Sequence, residues 1–348
     1  MFLAYTATHT HSKYITLHAL TMKHTKLLIS LIAALGVSFA PQAQAQAQSG
    51  YPNKPIRMIL PLAVGSAVDV AARLLAQKMS ANMGQSIVIE NITGAAGIIG
   101  ADKLAKAAPD GYTIGGFNDS VVTMVPNLNP NTPYNPLKDF TFVSLVATVE
   151  FCLAVPPDSP YKTTADLISA AKKAPDSIAF ASGGNGSPQH IGFAMFNSQT
   201  NTVMKHIPYK GASQAAQDVA SGQVPVTMQG IATVAGLVKG GKLRIMGVSM
   251  KQRHPQFPDV PTISESGAPG FEFSTWFLVT APPGTPKEIV TRLNREIVKA
   301  LADPELRERY ETLGLAPLGT SPEELATRTQ QQFAKYAKVI KDNQIKSD

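Results

Sequence analysis

Two stretches of the chain combine residue types that can hold an anion without any catalytic group. Residues 61–69 read PLAVGSAVD and residues 181–190 read ASGGNGSPQH. Each follows a short apolar run and opens at once onto a helix start. Ser66-Ala67-Val68-Asp69 has the form of a capping box, and Ser187-Pro188 that of an N-cap with proline at N1. Loops with so little side-chain bulk bare their backbone N–H groups, and the helix N-terminus adds partial positive charge. That combination binds an anion by its backbone alone. Two such places, far apart in sequence, suggest two jaws that close on one small acidic ligand.

The candidate ligand contacts in the first loop are Ala63, Val64, Gly65, Ser66 and Asp69. Gly65 lets a ligand approach the backbone. Ser66 can cap the helix and bind at the same time. Asp69 is most simply the reciprocal member of the capping box, with ligand contact as the competing role. In the second loop the candidates are Ser182, Gly183, Asn185, Gly186, Ser187 and His190, against the blander reading of a long turn. His190 falls at N3, where the helix dipole disfavours its protonated form. A neutral imidazole there either orients a ligand or braces the loop. Gln229 ends a strand next to a glycine and completes the set.

Enzyme motifs come close and fail. Gly236, Gly241 and Lys242 satisfy G-x-x-x-x-G-K, but Leu243 stands where Ser or Thr is needed, and a strand follows instead of a helix. Gly94, Gly97 and Gly100 are spaced G-x-x-G-x-x-G, which fits close packing at a helix start better than a dinucleotide site. No G-x-S-x-G elbow occurs. Past residue 47 the histidines are His190, His206 and His254, each isolated, and Cys152 is the one cysteine, so no metal spacing and no intrachain disulfide are expected. Cys152 lies in an apolar run and reads as a small core residue. Trp276 reads as core and not as a ligand platform. No cofactor is expected.

Apolar runs and turns supply the elements that must hold these loops. Strands at 56–60, 86–90 and 112–117 alternate with helices at 66–83 and up to about 107, the grammar of a parallel α/β sheet. Residues 118–139, rich in Asn and Pro, read as irregular. Strands at 142–149 and 151–155 carry the chain into a second domain, where strands and helices again alternate as far as 249. A strand at 271–281 is the expected return crossing. Three helices then start at Thr285-Pro286, Asp303-Pro304 and Ser321-Pro322.

The chain of 348 residues is 44% hydrophobic and 16% charged, ordinary values for a globular protein. Its first 47 residues read as a secretory signal. There is a basic segment at Lys23 and Lys26, an uncharged stretch over 27–39, and small-x-small sites at Ala43-Gln44-Ala45 and Ala45-Gln46-Ala47, with Met22 as the expected start. Thirteen residues are too few to span a bilayer. Removing 1–47 takes away Lys13, Lys23 and Lys26, leaving 28 basic and 24 acidic residues, a net of +4. With no Lys/Arg run, nucleic acid is not an expected partner. An exported chain without disulfides fits the bacterial periplasm.

The opening YPNKPIRMILPLAVGSAVDVAARLLA resembles that of the Bug solute-binding proteins, extracytoplasmic receptors associated with tripartite tricarboxylate transporters. So do GAAGIIGADKLAKAAPDGYT, YNPLKDFTFVSLVAT, IPYKGASQAAQDVASGQV, GKLRIMGVSMKQRHPQFPDVPTISESG and WFLVTAPPGTP, in order from Tyr51 onward. The resemblance implies an α/β, two-domain periplasmic binding protein of type II, a Venus flytrap. Each domain would be a mostly parallel sheet flanked by helices, with two crossing strands between them. Residues 48–150 and 272–348 would form domain 1 and 151–271 domain 2. It also implies a small carboxylate or dicarboxylate ligand held by the two loops, integral membrane permease subunits as partners, and a monomer. The sequence departs from the family pattern at Ser66, where a glycine is usual, and at Met228-Gln229-Gly230, where F-D-N is usual. A neutral amide in place of an acid removes a partner for a cationic substituent, so a carboxylate without an ammonium group is expected. The competing readings are a ligand sensor that docks on a receptor kinase and an exported enzyme with His190 as base. The latter lacks an activated nucleophile or a second titrating partner.

Overall fold

The first loop hangs between a strand buried at every residue but Arg57 and a helix capped at both ends. In this computed structural model, which describes residues 50–346, β1 (Ile56–Leu60) runs into Ser66, the N-cap of α1 (Ala67–Met83). Ala71, Ala72, Leu75 and Met79 form the buried stripe of α1, and Gly84, in the left-handed conformation, closes it by donating to the Ser80 carbonyl at 3.0 Å. The chain divides into a leading unit, Met1–Asn53, and a body, Lys54–Asp348, to which all the elements belong. The expected signal segment lies outside the described residues.

β2 (Ile87–Asn91) and β3 (Thr113–Asn118) pair in parallel on either side of β1, with α2 (Ile98–Ala105) crossing between them. The Asn- and Pro-rich stretch that follows is not wholly irregular. It holds two single-turn helices, α3 (Ser120–Thr123) and α4 (Val125–Leu128), with Val121, Val122 and Val125 buried. β4 (Thr141–Val155) is one strand of 15 residues, where a break at Glu150 was expected. The break is absent because Glu150 still pairs with Ser274 in the ladder to β9 (Ser274–Ala281).

β4 is the spine of the molecule. Its first part pairs antiparallel with β9 and with β10 (Leu315–Pro317). Its last part pairs antiparallel with β7 (Val226–Gly230) and β8 (Arg244–Val248). The second lobe continues in parallel from β7 to β5 (Ala179–Ser182) to β6 (Lys205–Pro208). Its helices are α5 (Thr164–Lys173), α6 (Pro188–Thr200), α7 (Ala212–Ala220) and α8 (Ile231–Lys239). The return crossing enters β9 later than expected, at Ser274. Phe273 is held instead by its N–H on the Ser249 carbonyl and by the Ser249 hydroxyl on its own carbonyl.

Three helices close the first lobe: α9 (Lys287–Leu301), α10 (Pro304–Thr312) and α11 (Pro322–Asp342). Asp303 and Ser321 cap α10 and α11 as expected. Thr285 does not cap α9, because its hydroxyl is turned back to the Pro282 carbonyl. One apolar cluster joins Ile59, Phe117, Phe140, Leu145, Leu278 and Leu325 in the first lobe. Another joins Ala154, Ala181, Val219, Val234, Leu243 and Val248 in the second, with Cys152 among them. Burial pushes the Cys152 thiol up to about 12, so it stays protonated and acts as a core residue.

Candidate functional site

The two loops face one another across a cavity of about 510 Å³, within the range typical of small-molecule sites. Alternation along the spine sets its floor. Val149 and Phe151 of β4 and Thr275 of β9 face the cavity, while Thr148, Glu150, Ser274 and Trp276 face a smaller cavity behind the strands.

On the first wall Ser66 takes φ −66° and ψ 157°, and its Oγ accepts the Asp69 N–H at 3.3 Å. The expected box is only half formed. Asp69 Oδ2 accepts from Gly65 N–H at 2.9 Å, while the Ser66 N–H goes to the Ala63 carbonyl. Arg73 clamps Asp69 with Nε on Oδ2 and Nη2 on Oδ1, at 3.0 and 2.9 Å, and Asn91 Nδ2 donates to Oδ1 at 2.8 Å. Asp69 is therefore fully engaged behind the loop, where it shapes the turn at Gly65, whose φ is +78°.

The second wall repeats this plan with different braces. Ser187 has φ −64° and ψ 157°, and its Oγ accepts the His190 N–H at 3.4 Å. Gly186 N–H donates to His190 Nδ1 at 3.1 Å, which requires a ring unprotonated at Nδ1. The His190 ring stacks on His206 with centroids 4.1 Å apart, and His206 Nε2 lies 2.5 Å from Ser182 Oγ. These three side chains support the loop from behind. Ser66 and Ser187 thus share one backbone geometry. Each accepts from its own helix and keeps a hydroxyl hydrogen to donate into the cavity.

Of the residues singled out from sequence, Ala63, Ser66, Gly183, Asn185 and Ser187 line the cavity. Val64, Gly65, Asp69, Ser182, Gly186, His190 and Gln229 lie outside its wall. Val64 turns its side chain to solvent. Gln229 buttresses the wall: its Oε1 accepts from Gln189 Nε2 at 3.0 Å, and its Nε2 donates to the Ala212 carbonyl at 3.1 Å. Gln189 itself faces the cavity. Trp276 is half-buried and packs on the first lobe's core.

Sequence reading missed a third wall segment. Gly94, Ala95, Ala96 and Gly97 line the cavity and all have positive φ, at 129°, 47°, 51° and 102°. The glycine spacing there was visible and was assigned to packing. Close packing is present as well: a Cβ would stand 2.7 Å from the Ile92 carbonyl oxygen at Gly100, 2.9 Å from Val121 Cγ2 at Gly97 and 2.5 Å from Ile99 Cδ1 at Gly94. The turn Tyr209-Lys210-Gly211 and Thr233 were also missed. Among the described residues that line the cavity, Lys210 is the one charged side chain, and no acid is present.

A family model described as tripartite tricarboxylate transporter family receptor matches residues 71–345. The chain belongs to this receptor family. The receptor is similar to the periplasmic binding protein BugD, with 33% identity and a TM-score of 0.81 over 86% of this chain and all of the other. It is similar to an R. palustris structure with adipate, with 32% identity and a TM-score of 0.83 over 85% of this chain and 99% of the other. It is similar to MatC from Rhodopseudomonas palustris with bound malate, with 31% identity and a TM-score of 0.79 over 83% of this chain and all of the other. The receptor thus has the two-domain α/β fold of periplasmic binding proteins, and the likeness to Bug proteins read from the sequence holds.

Behind the wall of the interlobe cavity sits Asp119, fully buried and flanked by the cavity-lining Asn118 and Ser120. Its Oδ1 accepts the Trp276 N–H at 3.1 Å, and its own N–H donates to the Trp276 carbonyl at 3.2 Å. Burial raises this carboxyl from the ordinary range to about 7, against the opposing pull of the Trp276 amide, the Gln332 side chain and the Lys335 charge.

Proposed function

We propose that this receptor is exported to the periplasm and closes on a small organic acid carrying no ammonium group. It then hands the ligand, unchanged, to integral membrane permease subunits as a monomer. The lobes divide near residues 150 and 272, and the joining strands flex as the hinge. The observation that carries this reading is the character of the cavity wall. It has one lysine, no carboxylate, and two N-cap serines that each direct a hydroxyl hydrogen and a helix N-terminus inward.

An ammonium group in such a cavity would meet no opposite charge and would lose its water, which is costly. Gln229 contributes only indirectly, through Gln189; the exclusion of ammonium rests on the whole wall. Binding of adipate and malate by similar proteins supports an acid as the ligand. His190 spends Nδ1 on the Gly186 amide and lies outside the cavity, which argues against a role as catalytic base.

Isothermal titration against mono- and dicarboxylates, with aspartate and glutamate included, tests the reading. Trp276 is the single tryptophan and lies on a crossing strand, so its fluorescence should report closure independently. Binding of simple carboxylates without turnover is the expected result. Tight binding of amino acids alone, or steady conversion of the ligand by the purified protein, would overturn it.

A further inference from the structure

We infer that Lys210 is the specificity-determining residue that selects a second carboxylate on the ligand, so that the receptor prefers dicarboxylates to monocarboxylates of the same chain length. The inference rests on the receptor reading above and deepens it.

Lys210 sits on the turn between β6 and α7, and this turn touches both jaws. A Cβ on Gly211 would stand 2.5 Å from Ala63 Cβ of the first loop, and Ser213 Oγ donates to the Val64 carbonyl at 2.7 Å. A Cβ on Gly183 would meet the Ala212 nitrogen at 3.1 Å, and one on Gly184 the Tyr209 carbonyl oxygen at 3.1 Å. The lysine therefore stands where the two loops converge, on the rim of the cavity. Its charge is uncommitted: among the described residues no acid lies within ion-pair distance of Lys210, whereas Arg57, Arg73, Lys78 and Lys103 each hold one.

One carboxylate is accommodated by the serine hydroxyls and bared amides of the jaws, which are neutral and fixed. A ligand with a second carboxylate brings a further negative charge that these donors do not neutralise. Lys210 answers that need with a point charge on a four-carbon stem, able to follow chains of different length. The turn packs on the first loop where the jaws meet, so on the proposed closure a ligand seated between them would lie beside the lysine, where a charge-assisted hydrogen bond can form.

The test is titration of wild type, K210Q and K210R with glutarate and adipate against butyrate and hexanoate, at low and high salt. Wild type should bind the dicarboxylates about tenfold more tightly or better, the scale of one hydrogen bond to a charged group. K210Q should lose that preference while keeping monocarboxylate affinity. K210R should retain most of it. High salt should erode dicarboxylate affinity more than monocarboxylate affinity in wild type and not in K210Q. Equal affinity for both classes in wild type, or a preference that survives in K210Q, would overturn the assignment of Lys210 alone. Failure of wild type to bind any carboxylate would overturn the receptor reading and the assignment with it.

Discussion

The Ala67 N–H, the first of helix α1, donates to the Thr233 hydroxyl of helix α8 at 2.9 Å, joining residues 166 apart in sequence and on opposite lobes. It is one of the amides that a helix N-terminus would otherwise offer to a ligand. Here it is spent on holding the jaws together, as is the Ser213 hydroxyl on the Val64 carbonyl. Under the proposed hinge motion these bonds form as the lobes meet, which ties them to closure and not to ligand contact.

Removing them should weaken binding without touching specificity. T233V keeps the shape and deletes the acceptor, and each lost bond is worth about 1 kcal/mol. T233V and S213A should therefore each raise Kd about fivefold for every ligand in a panel, through a faster off-rate. Stopped-flow fluorescence of Trp276 measures this. A change in the rank order of ligands would show that these hydroxyls contact the ligand.

The paired N-caps predict a split between stability and affinity. S66A and S187A each remove a cap worth about 1 kcal/mol, which should lower Tm by a few degrees. Each also removes a hydroxyl donor facing the cavity, so Kd should rise about tenfold. Glycine at either position forfeits less of the cap but all of the hydroxyl. S66G and S187G should therefore melt closer to wild type while binding as poorly as the alanine variants. Thermal melts and titration on the same four proteins check both halves.

Ala95 and Ala96 are held at φ 47° and 51° on the cavity wall, a conformation that costs an alanine roughly 1 kcal/mol. A95G and A96G remove the Cβ that makes it costly. Against this, glycine has a more flexible unfolded state, so the gain should be a few tenths of a kcal/mol to about 1 kcal/mol in denaturant unfolding. Affinity should fall slightly as the wall loosens.

Asp119 predicts a pH dependence of folding. Its carboxyl titrates near 7 in the folded protein and in the ordinary acidic range when unfolded. Between roughly pH 4 and pH 7 the folded state holds a proton that the unfolded state has released, so raising the pH destabilises the fold through this group, by up to about 1.4 kcal/mol per pH unit. Above about 7 the loss levels off. D119N, whose Oδ1 can still accept from Trp276, should gain stability relative to wild type as pH rises from 5 to 8. Urea unfolding at several pH values measures the difference. A constant difference would mean that the carboxyl titrates alike in both states.

Much of this protein is legible along the chain because its information is local. The alternation of strand and helix, the serine caps and the two small-residue loops follow from short-range steric and hydrogen-bonding rules, and they stand where the sequence places them. Glu150 shows the limit: read locally, a charge ends a strand, but its side chain emerges on the back of the β4–β9 ribbon, beside a cavity that only the folded sheet creates. The site divides in the same way. Ser66 and Ser187 were readable because a cap is set by its own four residues. In sequence Asp69 and His190 admit both a bracing and a ligand role and Gln229 reads as a cleft residue; the fold engages them with Gly65, Gly186 and Gln189, a choice that residue type alone does not encode. The residues that meet across the gap, Gly211 and Thr233 against Ala63 and Ala67, could not be paired from the sequence. Their proximity depends on the length and twist of β4 and on the closure of two lobes about it, and these are properties of the packed sheet and not of any segment.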